Sequence, residues 1–270
     1  MVQAPLQAAL SGPTLVRLLA RLAEADVTEP QQPLADRLSQ WLGWTDAIAL
    51  SGALSAQPAM PGVATPGVAT ARAAARTFDR EDAALCVSVR SALTKTIARA
   101  CVPARAQRDA RAGVGVGVGV GVGVGVGVGV GVSAEPPADY AEFRQDYLSI
   151  QQAMETDIGQ LRTRLRALLA AQSPALARLA AVDAIMERSL GMREQRLLAT
   201  VPALLGRYFE RLRRAAQQAL ASAGAEGDDT TVPSAAWLDV FRKEMQSVLL
   251  AELDIRFQPV QGLLAALRAR

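Results

Sequence analysis

Apolar side chains recur over residues 140–168 at alternating steps of three and four, and this row constrains the fold more than any other feature. Tyr140, Phe143, Tyr147, Ile150 and Met154 are spaced 3, 4, 3, 4, and Ile158, Leu161, Leu165 and Leu168 continue after a one-residue slip. Such positions meet on one face only in an α-helix. About four heptads of this kind suit a coiled coil or a long helix in an antiparallel bundle. The slip at Ile158 favours the bundle, because the seam drifts as it does on an unsupercoiled helix. Composition points the same way: hydrophobic residues make up 50% of the chain but aromatics only 4%, and Ala and Leu dominate. Ala, Leu, Arg, Gln and Glu lose little side-chain freedom on entering a helix, so an all-α chain is expected.

Residues 139–270 read as an antiparallel helical bundle of about four helices. Asp139 and Glu142 form an acidic variant of the capping box ahead of the stripe. Ser173-Pro174, an N-cap followed by proline at the first helical position, opens the next helix, with Leu176, Leu179, Ile185 and Leu190. Gly191 and Pro202 punctuate the next run, and Pro202 either kinks a long helix or opens a new one. After a loop around Asp228-Asp229, Ser234 caps a helix that turns Trp237, Phe241, Val248 and Leu249 inwards. Pro259 is expected to break it and leave a short terminal helix.

Residues 1–55 read as an N-terminal helical unit. Pro13 suits a first turn, and Leu15, Leu18, Leu19 and Leu22 then share one face. Residues 33–54 give two short helices, with Gly43 as a stop and Thr45 as a new N-cap. Trp41 and Trp44 read as packing anchors of this unit, with a surface binding pair as the alternative. Residues 56–77 contain "PGVAT" twice in tandem and read as a linker. Residues 78–103 form a helix packed on one of the helical units, acidic at its start and basic towards its end as the helix dipole favours. Leu85, Val89, Leu93 and Ile97 give it an apolar line.

Residues 104–138 hold ten uninterrupted Gly-Val pairs, 113–132. Their glycines fall only at even separations, whereas both phosphate-binding glycine signatures need an odd step of five. Half of the tract is glycine, a poor helix former, which argues against a membrane span. Glycine at every second place also weakens a strand. The tract is expected to be a disordered spacer, the product of slippage in a six-base repeat.

The chain has no histidine, which removes the usual general base, pH switch and metal ligand together. Cys86 and Cys101 on one helix would stand about 22 Å apart, too far for a disulfide, so two buried thiols in a reducing compartment are expected. No hydrolase, nucleotide-binding, metal or nucleic-acid motif is present, so no cofactor and no enzymatic activity are expected. No transmembrane or signal segment is recognised, and a cytoplasmic location is expected. A net charge of only +3 does not imply a general polyanion binder. Two arginine clusters remain, Arg162/Arg164/Arg166 and Arg207/Arg211/Arg213/Arg214. Arg207, Arg211 and Arg214 share one helical face that is a candidate for anion contact, with Glu210 able to pair with Arg214.

The stretches "SGPTLVRLLARLAEADV", "LADRLSQWLGWTDAIALSGAL" and "FRKEMQSVLLAELDIRFQPVQGLLAALR" resemble an uncharacterised proteobacterial family, domain of unknown function 3348. The resemblance spans both ends and most of the C-terminal half, and the family lends no catalytic residue to any position here. Its members are encoded beside OmpA-like and other envelope proteins, which implies a cytoplasmic partner of an envelope-associated complex. The functional expectation is a non-enzymatic helical interaction or scaffold protein. It would bind a protein partner, or itself, along the seam Tyr140, Phe143, Tyr147, Ile150, Met154, Ile158, Leu161 and Leu165 or through the C-terminal helices. Two alternatives stand beside it: an arginine-mediated nucleic-acid binder, and an enzyme that works with carboxylates and arginines instead of histidine.

Overall fold

The computed structural model describes residues 13–25, 32–55, 68–102, 139–224 and 236–269. These form eight helices and no strand: α1 (Thr14–Ala23), α2 (Leu34–Trp41), α3 (Trp44–Ser55), α4 (Val68–Cys101), α5 (Tyr140–Gln172), α6 (Pro174–Leu198), α7 (Val201–Gly224) and α8 (Ala236–Arg268). The all-α expectation is met. The Gly-Val tract and Ser234 lie outside the described residues.

The ends of α5 and α6 are set by local chemistry. Asp139 accepts a hydrogen bond from the Ala141 amide at 3.0 Å, and Ser173 accepts one from the Leu176 amide at 3.2 Å. Each satisfies an amide that the first turn of a helix leaves without a partner. Ser173 alone separates α5 from α6, so the two form a tight antiparallel hairpin. Pro202 lies in the first turn of α7, where its missing N–H costs nothing, and the Leu204 amide donates to the Thr200 carbonyl at 3.3 Å.

Helix α8 is the centre of the molecule and packs against α1, α4, α5, α6 and α7. Its buried positions include Val248, Leu249, Ala251, Glu252 and Leu253, which wrap more than one face, as a helix surrounded by others requires. Paired contacts give its direction: α4 runs antiparallel to it, with Arg90 bonded to Asp254 and Cys101 near Arg242, while α5 runs parallel, with Tyr140 against Phe241 and Tyr147 bonded to Glu252. At one end six of the chain's few aromatics converge: Tyr140 and Phe143 from α5, Tyr208 and Phe209 from α7, Trp237 and Phe241 from α8. Phe209 meets Phe241 edge-on at 5.0 Å and Trp237 at 5.1 Å, the geometry that aromatic quadrupoles favour.

Several sequence expectations are corrected here. Helix α8 runs through Pro259 without a break. Pro259 cannot donate to the Ile255 carbonyl, a cost of about 3 kcal/mol, but Phe257, Val260, Leu263 and Leu267 carry the buried stripe across it and offset that cost. Helix α6 likewise continues through Gly191. Helix α4 starts at Val68, inside the stretch 56–77 read as a linker. Its first turns are rich in alanine, a strong helix former that leaves no amphipathic pattern to read. Helix α3 begins at Trp44, so Gly43 and not Thr45 holds the capping place.

The short helices of residues 1–55 seat separately on the bundle instead of building a core of their own: α1 on α7 and α8, α3 on α6. At 8 to 12 residues each they are marginal as isolated helices, and packing on longer helices stabilises α1 and α3. Leu15 and Leu22 anchor α1, with Leu18 and Leu19 beside them. Trp41 takes a partial role, with the Arg193 guanidinium 4.4 Å from its ring centroid. Trp44 anchors nothing and is 81% exposed.

Candidate partner-binding surfaces

The seam on α5 closes on the chain's own helices. Tyr147, Ile150, Met154, Ile158, Leu161 and Leu165 are buried, and Tyr140 and Phe143 are half-buried in the aromatic cluster. Leu169, not Leu168, is the last buried member. The buried members gain their free energy by leaving water for α4, α7 and α8, so the stripe from Tyr147 onwards is not presented outwards.

Inside the same core lies a polar group that no sequence pattern marked. Glu252 is fully buried and accepts hydrogen bonds from the Tyr147 hydroxyl at 2.6 Å, Gln151 Nε2 at 3.0 Å and Arg256 Nε at 2.9 Å. Burial and then the neighbouring Glu252 charge push the Tyr147 phenol upwards, so it stays protonated and donates. A cleft of about 400 Å3 between α5, α6 and α8 is lined by Arg256 but stops short of Tyr147 and Glu252. Tyr147 and Glu252 are closed off from this cleft, and the cluster ties α5 to α8. The signal available in the sequence was the pair Tyr147 and Gln151, four apart on the apolar face with polar tips in need of a partner.

The first arginine cluster is spent in the same way. Arg162 bonds Asp183 at 2.8 Å and Glu187 at 3.0 Å, Arg166 bonds Glu187 at 2.5 Å, and Arg164 reaches buried Asp82 at 2.7 Å. These pairs lock α5 to α6 and to α4. Cys86 and Cys101 are free and buried on α4. Burial, followed by the Asp146 charge, pushes Cys101 up to about 12, and burial raises Cys86 as well, so neither supplies a ready thiolate.

The second cluster is arranged differently. Arg211 is fixed: it donates to the Leu22 carbonyl at 2.9 Å, pairs with Glu24 at 3.2 Å and lies 5.2 Å from the Tyr208 ring centroid. Glu210 pairs with Arg213 at 3.6 Å and not with Arg214, a correction that arises from the i, i+3 geometry. Arg207 and Arg214 are exposed and reach no carboxylate among the described residues. The face they share with Arg211 borders an open groove of about 760 Å3, and Tyr140 forms its other wall. The Tyr140 ring rests on Gly206, where an added Cβ would come within 2.8 Å of the ring, and its hydroxyl donates to the Pro202 carbonyl. Burial pushes Tyr140 up to about 12.

Helix α3 carries the other surface. Its inner side, with Asp46, Ala49, Leu50 and Ala53, is half-buried where the helix seats on α6, and Asp46 accepts from Arg188 Nη2 at 3.0 Å. The hydrogen bond from Arg188, and then one from Ser189, holds the Asp46 carboxyl below its ordinary value. Its outer side exposes Trp44 at 81%, Ile48 at 56% and Leu54 at 64%. Among the described residues there is no group of histidine, cysteine or carboxylates placed to hold a metal ion, and no helix is long and apolar enough to cross a membrane.

The profile of DUF3348, a family of proteins of unknown function, matches residues 1–269, and the chain belongs to that family. No curated protein and no solved structure matches it.

Proposed function

We propose that this member of the DUF3348 family is a non-enzymatic helical interaction protein, and that it grips a protein partner through the outer face of α3, with Trp44 as the anchor. The observation that carries this reading is the placement of Trp44 and Ile48 one turn apart on the water-facing side of a helix whose other side is already seated, with Leu54 exposed on its flank. Trp is the residue most enriched at the energetic centre of protein interfaces. Large apolar side chains exposed side by side mark surfaces where proteins associate. The α5 stripe from Tyr147 onwards is occupied within the chain's own core, which supports looking for the association surface elsewhere.

Two measurements test the proposal. Light scattering of the full chain reads self-association, and affinity capture from the cells that express it reads a heterologous partner. Trp44→Ala combined with Ile48→Ser is expected to abolish the association while shifting folding stability by no more than about 0.5 kcal/mol, as for a surface substitution. A strict monomer that captures the same proteins with and without Trp44 would sink the reading.

A further inference from the structure

We infer that the groove on α7 is a docking site for a second kind of partner segment, an acidic α-helix, held by Arg207, Arg211 and Arg214. This surface is separate from α3 and does not depend on the reading of Trp44. The three arginines occupy positions 0, 4 and 7 of one helical face, so along the axis they stand about 6 and 4.5 Å apart. A partner helix with carboxylates at the same 0, 4, 7 spacing presents matching charges at matching heights.

The state of the three cations suits capture. Arg211, at the centre, is held in place by the Leu22 carbonyl, by Glu24 and by Tyr208. A pre-oriented guanidinium loses little further freedom when a carboxylate arrives. Arg207 and Arg214, on either side, reach no carboxylate among the described residues and are open to water. Arg162, Arg164 and Arg166, in contrast, already hold acidic partners on neighbouring helices.

The shape of the groove suits a helix. From Ala203 to Gln218 the lining covers four turns of α7, a trough about 22 Å long at 1.5 Å per residue. Ala203 is the small side chain in the same row as Arg207 and Arg214, since Tyr140 already covers Gly206 and Ala215 lies on the opposite side of α7 from it. A nucleic-acid strand fits less well. Tyr140 is pinned between Gly206 and the Pro202 carbonyl, which leaves no aromatic face on which a base can stack, and Glu210 in the same row is engaged by Arg213.

Fluorescence anisotropy tests the inference with a labelled, alanine-based helical peptide of about 18 residues carrying glutamates at the 0, 4, 7 spacing. The full chain is expected to bind this probe at low salt and to release it as salt rises. Arg207→Gln with Arg214→Gln is expected to weaken binding about tenfold, the sum of two exposed ion pairs. Arg207→Glu with Arg214→Glu is expected to prefer a probe in which lysines replace the glutamates. Trp44→Ala leaves probe binding unchanged, which separates this site from the α3 surface. The inference is overturned if a glutamine probe binds as tightly, or if the arginine variants bind the acidic probe as well as the wild type does. It is equally overturned if a single-stranded oligonucleotide displaces the peptide at lower concentration, or if the groove is covered by a second copy of the chain whose dimer the Arg→Gln changes dissolve.

Discussion

Replacing Glu252 by alanine is the sharpest probe of how the core is held. Three donors point at this carboxylate, and each is left in a different state when it is removed. The Tyr147 hydroxyl is fully buried and loses its acceptor, at a cost of about 1–3 kcal/mol. Gln151 keeps the Leu198 carbonyl at 3.3 Å and loses less. Arg256 is only 10% exposed and is left with Glu194 at 3.8 Å, a pair too long to replace the lost bond. Breaking a buried ion pair from one side costs about 3–5 kcal/mol, so the expected loss for Glu252→Ala is about 4 kcal/mol. Against a total stability of about 5–15 kcal/mol that loss brings the fold close to its limit. Urea unfolding followed by helical circular dichroism reads it as a lowered midpoint at unchanged slope. Asp254→Ala serves as the control, because its pair with Arg90 is 40% and 59% exposed and is worth at most about 1 kcal/mol. A Glu252→Ala loss no larger than the Asp254→Ala loss would mean that water reaches the cluster, and the account of the core as sealed would fail.

The cysteines give a second expectation. Cys101 is raised from 9.0 to about 12, so its thiolate fraction near neutral pH is about a thousandfold below that of a free thiol. Both cysteines are therefore expected to resist alkylation in native buffer and to react promptly in urea, and prompt native labelling of Cys101 would contradict its burial. The third expectation concerns Asp46. A carboxylate whose folded pKa is depressed adds stability above its unfolded value of 3.8 and loses it as pH falls through the lower folded value. The gap in unfolding midpoint between the wild type and Asp46→Asn, present at neutral pH, should therefore close on acidification; a gap that stays constant into strong acid would rule out the Arg188 tie as its source.

How far the fold could be read from the sequence depended on whether a segment's signal was local. The α5 stripe, the Asp139 and Ser173 caps and the inward face of α8 were legible because helical period and capping chemistry lie within a few residues of each other. Pro259 misled, because its backbone cost is local whereas the packing of Val260, Leu263 and Leu267 that offsets it comes from other helices. The alanine-rich start of α4 misled in the opposite sense, since alanine promotes a helix without producing a face. Trp44 was assigned to packing on residue type alone. Only the position of α6, which takes the opposite side of α3, settles that its ring faces water. Glu252 carries no local sign of its burial, which arises because three donors on two helices arrive at the same point.

The arginines make the same argument for function. Lys95 and Lys243 are the only lysines, so nearly every cation of this chain is a planar fork able to bind a carboxylate in two directions. Density along the sequence singles out two clusters equally. What separates them is the neighbouring helix: Asp183 and Glu187 on α6 stand at the height of Arg162 and Arg166, and Asp82 on α4 stands at the height of Arg164. Those carboxylates turn the α5 cluster into interhelical ties, and their loss would register in folding. On α7 the row of Arg207 and Arg214 faces a groove with no helix across it among the described residues. The docking proposed for α7 follows from that difference: no described helix supplies carboxylates to Arg207 and Arg214, and a second molecule can.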